Sequence, residues 1–209
     1  GAVISVEQGG GSATLEFSGT QTFGGSGAVV FNGSGSSNTV RAELAGHTLT
    51  IGEGVTIRTG LRGGTVGLST AAIINQGTIS SETASQQLTV TGTNWSNEGL
   101  LTASAGTLQM QGAGMTNTGT IRAEGAGTAR VAATGFVQQG VFEARGGGLA
   151  RMQNGATLVN EGTLLAGVNG RIEAANGLMQ TGAGVVEVEL GGLATSQFGR
   201  LTITGAAAL

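Results

Sequence analysis

An Asn or Gln followed two residues later by Gly recurs six times in this chain: Asn75 and Gly77, Asn97 and Gly99, Asn117 and Gly119, Gln138 and Gly140, Asn160 and Gly162, Gln180 and Gly182. The glycines recur every ~21 residues, never straying from that spacing by more than one position. A period this regular restricts the fold more than any composition does. Each repeat is one small unit that cannot bury an apolar face alone, so the units must stack and share a core.

The columns of the repeat describe that unit. Two positions before the amide stand Ile73, Trp95, Met115, Phe136, Leu158 and Leu178. Two positions after the glycine stand Ile79, Leu101, Ile121, Phe142, Leu164 and Gly184. Further on come short alternating runs, "LTV" at 88, "LQM" at 108, "ARV" at 129, "ARM" at 150 and "IEA" at 172. Period-two alternation bounded by Gly, Ser and Asn reads as strand and turn, not helix. The expected architecture is all-β: a right-handed parallel β-helix, or β-solenoid, of about ten coils of about 21 residues, stacked at roughly 4.8 Å per coil.

In such a stack the repeat glycines are expected to turn the corners, where a sharp bend needs positive φ at some residues and Gly reaches it without steric cost. The amides Asn75, Asn97, Asn117, Gln138, Asn160 and Gln180 are expected to bond coil to coil as a ladder, distorted at the longer Gln138 and Gln180. Proline would break such sheets, and the 209 residues contain none. The whole chain, 1–209, reads as a single solenoid domain. Within it, 1–70 are less regular N-terminal coils or a cap, 71–182 the regular repeats, and 183–209 terminal coils with an open end.

Charge is sparse and oddly written: all nine cations are Arg, all twelve anions are Glu, and the formal net charge is −3. Three residues after the glycine run Ser80, Thr102, Arg122, Glu143, Leu165 and Val185; five after it run Glu82, Ser104, Glu124, Arg145, Gly167 and Glu187. Arg122 is therefore expected to stack on Glu143, and Glu124 on Arg145. On another face Gln109, Arg130, Arg151 and Glu173 follow one another, which sets Arg130 beside Arg151. Opposite charges on neighbouring strands favour the correct register, because a slip changes the partners.

The same composition argues against several functions. Nucleic-acid binding wants a basic stripe with stacking aromatics, and aromatics are only 3% of the chain. No apolar run is long enough to insert in a membrane, and "GAVISVEQGG" lacks the basic and apolar regions of a signal peptide. His47 is the only histidine, so a multi-His metal site is impossible, and without Asp or Cys it is a poor catalytic candidate. Catalysis would have to rest on Glu pairs such as Glu187 and Glu189, read as a solvated strand face, while Glu143, Glu161 and Glu173 fall in different columns. Trp95 could stack on a sugar, but its column makes it a core residue. No catalytic residue, cofactor or metal is assigned.

"NEGLLTASAGTLQMQG", "NTGTIRAEGAGTARV" and "NEGTLLAGVNGRIEAANG" resemble the repeats of right-handed parallel β-helices in large bacterial secreted surface proteins, the autotransporter passengers and filamentous-haemagglutinin-like adhesins. The tail "LGGLATSQFGRLTITGAAAL" is similar to the stretch that often closes such passengers, with Gly199 and Arg200 where that pattern usually carries Asp. The resemblance implies export to the cell surface or beyond. It implies a non-enzymatic stalk, spacer or adhesive rod, with a host or surface ligand as partner and end-to-end self-association as a variant. The alternative it leaves is a glycan-binding or polysaccharide-cleaving β-helix.

Overall fold

In the computed structural model, which describes residues 1–7, 11–35, 37–153, 155 and 157–208, the chain winds through three parallel sheets of nine strands each. Every third strand belongs to the same sheet. The first sheet starts at Ala2–Val6, the second at Thr14–Phe17 and the third at Gln21–Phe23. One strand from each sheet makes a coil, so the described residues form nine coils rather than ten. Residues 8–10, 36, 154, 156 and 209, which fall within the three expected segments, lie outside the described residues.

The coil length follows from the register. In the first sheet the earliest partners, Ala2↔Gly27 and Gly27↔Val55, enclose the longest coils. From Thr56↔Thr78 onward, through Leu100↔Thr120 to Thr163↔Val185, each step settles at about 21 residues, the length of one repeat. The irregular N-terminal coils are thus the same coil with longer connections. Strand pairing does not change, because corners sit outside the sheets and absorb extra residues at little cost.

The core is a set of columns. Val29, Ile57, Ile79, Leu101, Ile121, Phe142 and Leu164 lie on successive strands of the first sheet, all with no exposed surface. Trp95, Met115, Phe136, Leu158 and Leu178 form the equivalent column of the third sheet. Burying each large side chain contributes about 1.5–3 kcal/mol relative to leaving it in water. Volume is traded within a coil: the turn that carries Phe142 carries Ala144 and Ala150 beside it, all buried. The alternation recognised in the sequence is the inward and outward alternation of these strands, as in the i-B-i-B burial of Leu149–Met152.

Candidate functional site

The amide column is continuous in register, Asn75↔Asn97↔Asn117↔Gln138↔Asn160↔Gln180, on the inner face of the third sheet. The Nδ2 of Asn75 donates to Asn97 Oδ1 at 2.7 Å, and Asn97 donates to Asn117 at 2.7 Å. Asn117 then donates to Gln138 Oε1 at 2.9 Å, and Asn160 to Gln180 Oε1 at 2.9 Å. The chain of amides breaks once, between Gln138 and Asn160. There the longer Gln arm carries Nε2 onto its own corner, where it donates to Gly140 O at 2.8 Å. Asn160 Oδ1 accepts instead from the Gly162 N–H at 3.3 Å. The distortion expected at both glutamines therefore occurs at Gln138 alone. The ladder starts where it must: Ile51 occupies the column before Asn75, and Asn75 Oδ1 is buried without a partner.

The repeat glycines need a different explanation from the one the sequence suggests. None of Gly77, Gly99, Gly119, Gly140, Gly162 and Gly182 has positive φ. What excludes a side chain is the coil below. A Cβ on Gly119 would stand 2.3 Å from Gly99 O, one on Gly140 2.1 Å from Gly119 O, and one on Gly162 2.2 Å from Gly140 O. Gly99 meets Gly77 O at 2.2 Å and Gly77 meets Val55 O at 2.3 Å. Those carbonyls are engaged: Gly99 O accepts from Thr120 N–H at 2.9 Å and Gly119 O from Val141 N–H at 2.8 Å. The corners stack backbone on backbone, and only hydrogen fits between them.

Gly182 is the exception, with nothing within 4 Å of its Cβ position. Its corner holds four residues, 181–184, where the others hold two, since Gln180 aligns with Asn160 but Val185 with Thr163. Gly184 takes the crowded place, its Cβ 2.4 Å from Asn160 O. The insertion shifts the last coil by two residues, so Leu164 faces Val186 rather than Gly184, and Leu165 faces Glu187 rather than Val185.

The charged columns stack as Arg122↔Glu143 and Glu124↔Arg145. Arg122 Nε and Arg145 Nη2 both bond the Glu143 carboxylate, whose side chain is only 2% exposed. Arg145 thus turns to Glu143 on its own strand instead of pairing with Glu124. Each oxygen of the buried carboxylate thus has its own cationic partner, which offsets the cost of taking the charge out of water. Arg151 pairs with Glu173 at 2.6 Å, Arg41 with Glu16 at 2.8 Å, and Arg58 with Glu82 at 3.5 Å. Arg130, aligned with Arg151, keeps a buried Nε with no partner.

The candidates for chemistry are dispersed. Glu187 lies in the strand Val185–Val188, and Glu189 follows it, accepting the Val168 N–H at 3.0 Å. Glu161 accepts from Gln139 Nε2 at 2.9 Å at an exposed corner. His47 sits in the turn before Thr48–Ile51, its Nδ1 buried and unbonded. Trp95 is 1% exposed and donates its indole N–H to Gln111 O at 3.2 Å, which suits packing and leaves no face for a sugar. Among the described residues no three His, Cys, Asp or Glu come together to hold a metal ion, and no helix is long and apolar enough to cross a membrane.

One grouping extends beyond the Arg130 and Arg151 neighbours expected from the sequence. On the outer side of the second sheet Arg130, Arg151, Arg171 and Arg200 occupy four successive coils, with Arg130↔Arg151 and Arg171↔Arg200 as direct partners. Arg171 and Arg200 line a cleft of about 350 Å³. A fixed sequence period could not find it, because the connection between Arg171 and Arg200 is longer than any other between stacked partners of that sheet. No protein-family model, curated protein or solved structure matches the chain.

Proposed function

We propose that the chain is a non-enzymatic structural module of a secreted or cell-surface bacterial protein, serving as a stiff stalk, spacer or adhesive rod. The observation that carries this reading is the unbroken stack. Three parallel sheets run through all nine coils, and between the third and eighth a buried amide column, broken once, and backbone-tight glycine corners reinforce the strand pairing. At roughly 4.8 Å per coil, eight steps give an axial reach of about 38 Å. Bending such a body means breaking strand hydrogen bonds on one side, so its mechanical role is to hold faces at fixed distances. The resemblance to autotransporter passengers and filamentous-haemagglutinin-like adhesins adds the cell surface as the setting.

The reading is tested on the organism that makes the protein. Antibodies raised to the folded chain should label intact cells or the culture fluid, and protease added to intact cells should remove that signal. Signal found only after lysis would overturn the surface assignment. Electron microscopy of the purified chain separates a discrete rod from a filament grown end to end.

A further inference from the structure

The nine arginines of the chain divide unevenly. Arg41, Arg58, Arg122, Arg145 and Arg151 each reach a Glu. Among the described residues that leaves Arg62, Arg130, Arg171 and Arg200 without an ion pair. Three of those four lie on the outer side of the second sheet, in coils 6, 8 and 9, with the Arg151–Glu173 pair between them. Like charges on neighbouring strands oppose folding. Arg171 stands beside Arg200 and Arg130 beside Arg151. The buried, unbonded Nε of Arg130 adds a further cost. A chain with net charge −3 has carboxylates enough to neutralise this face, yet places a single Glu173 there.

The cleft at its end has a definite chemistry. Arg171 and Arg200 are exposed, and Arg200 Nη2 donates to Thr195 O at 2.9 Å, which orients the guanidinium without neutralising it. Asn169, Thr195 and Ser196 add neutral groups able to exchange hydrogen bonds with hydroxyls, and Phe198 adds an apolar ring. None of the lining residues is acidic. Guanidinium forks match carboxylates with two parallel hydrogen bonds. Neutral hydroxyls, an amide and one ring match a sugar better than a nucleobase, which wants flat aromatic platforms.

We propose that this face binds a carboxylate-bearing polysaccharide laid along the solenoid axis, with Arg171 and Arg200 holding one carboxylate in the cleft and Arg130 meeting another roughly 10–15 Å away, two to three coils along. The inference deepens the adhesive form of the rod reading and rests on it only for its setting, since the contacts need nothing beyond coils 6 to 9.

The test is binding of the whole chain to immobilised polygalacturonate at low and high salt, with dextran and duplex DNA as comparators. The chain is expected to bind polygalacturonate and not dextran. Arg171→Gln with Arg200→Gln is expected to weaken binding about tenfold or more, and Arg130→Gln about threefold. Arg41→Gln with Arg58→Gln makes the same change in net charge on distant coils and should stay within about twofold, because steering by overall charge is a small term at high salt. Arg171→Lys with Arg200→Lys keeps the charge, removes the fork and should still weaken binding severalfold. The proposal is overturned if the wild type does not bind, if the Arg41 and Arg58 pair weakens binding as much as the cleft pair, or if DNA binds as tightly with the same arginine dependence. Such a failure, with surface labelling intact, would remove the ligand and leave the rod.

Discussion

Gly119 and Gly182 hold the same place in the sequence repeat and opposite places in the structure, so Gly→Ala at each separates two explanations of the column. At Gly119 the new Cβ would stand 2.3 Å from Gly99 O and 2.6 Å from Glu98 C, with carbonyl backbone on the receiving side. Relief needs a shift of about 1 Å between coils, judged against an ordinary carbon–oxygen contact. The adjoining bonds, Gly119 N–H to Asn97 O and Thr120 N–H to Gly99 O, are both 2.9 Å and would be pulled beyond bonding range. Two weakened hydrogen bonds at about 0.5–1.5 kcal/mol each, plus overpacking of about 1–3 kcal/mol, give a loss of about 2–6 kcal/mol for Gly119→Ala. At Gly182 nothing lies within 4 Å and φ is not positive. Alanine there should be neutral or stabilising by about 0.4–1 kcal/mol, through reduced freedom of the unfolded chain. Urea unfolding followed by circular dichroism measures both. Equal losses at the two sites would refute stacking clearance as the reason for the column and restore turn geometry in its place.

Asn97→Ala should cost about 2–4 kcal/mol in the same assay, because it leaves the Asn117 carbonyl oxygen unbonded in the core and removes the acceptor of Asn75; Asn97→Asp should cost more at neutral pH, since a buried carboxylate cannot donate to Asn117 and carries charge. Glu143→Gln should lose about 1–3 kcal/mol, nearly unchanged between about 0.1 and 1 M salt, whereas Glu16→Gln, which breaks a pair whose side chains are 37% and 38% exposed, should stay within about 0.5 kcal/mol. Trp95 is the only tryptophan and is buried. Its emission should be blue-shifted in the folded chain and move to the red in a transition that coincides with loss of the β signal; a red emission in the folded state would contradict the core assignment.

The period was legible because stacking makes one coil's constraint every coil's constraint. Asn75 through Gln180 align in space as they align in sequence, and the apolar columns at Ile73 and Ile79 follow. The reason for the glycines was not legible. A dihedral preference belongs to one residue, but the clash at Gly119 belongs to a carbonyl on the neighbouring coil, whose distance only the assembled stack sets. The last coil failed for a related cause: the corner 181–184 inserts two residues, which a fixed period reads as a shift of every column. Arg145 shows the limit of register itself. Strand pairing sets it beside Glu124, but a long side chain chooses the more deeply buried carboxylate within reach.

The outer column of the second sheet, Thr14, Thr39, Thr65, Thr89, Gln109, Arg130, Arg151, Glu173 and Thr202, places one residue on every coil. The chain has no cysteine, so pairs introduced at Thr14 with Gln109, Glu173 or Thr202 can be spin-labelled without background. Distances between labels should rise in equal steps of about 4.8 Å per coil, to roughly 19, 34 and 38 Å for four, seven and eight coils, with narrow distributions at each. Distances that level off, or that broaden as coils are added, would contradict a continuous, stiff stack and with it the rod.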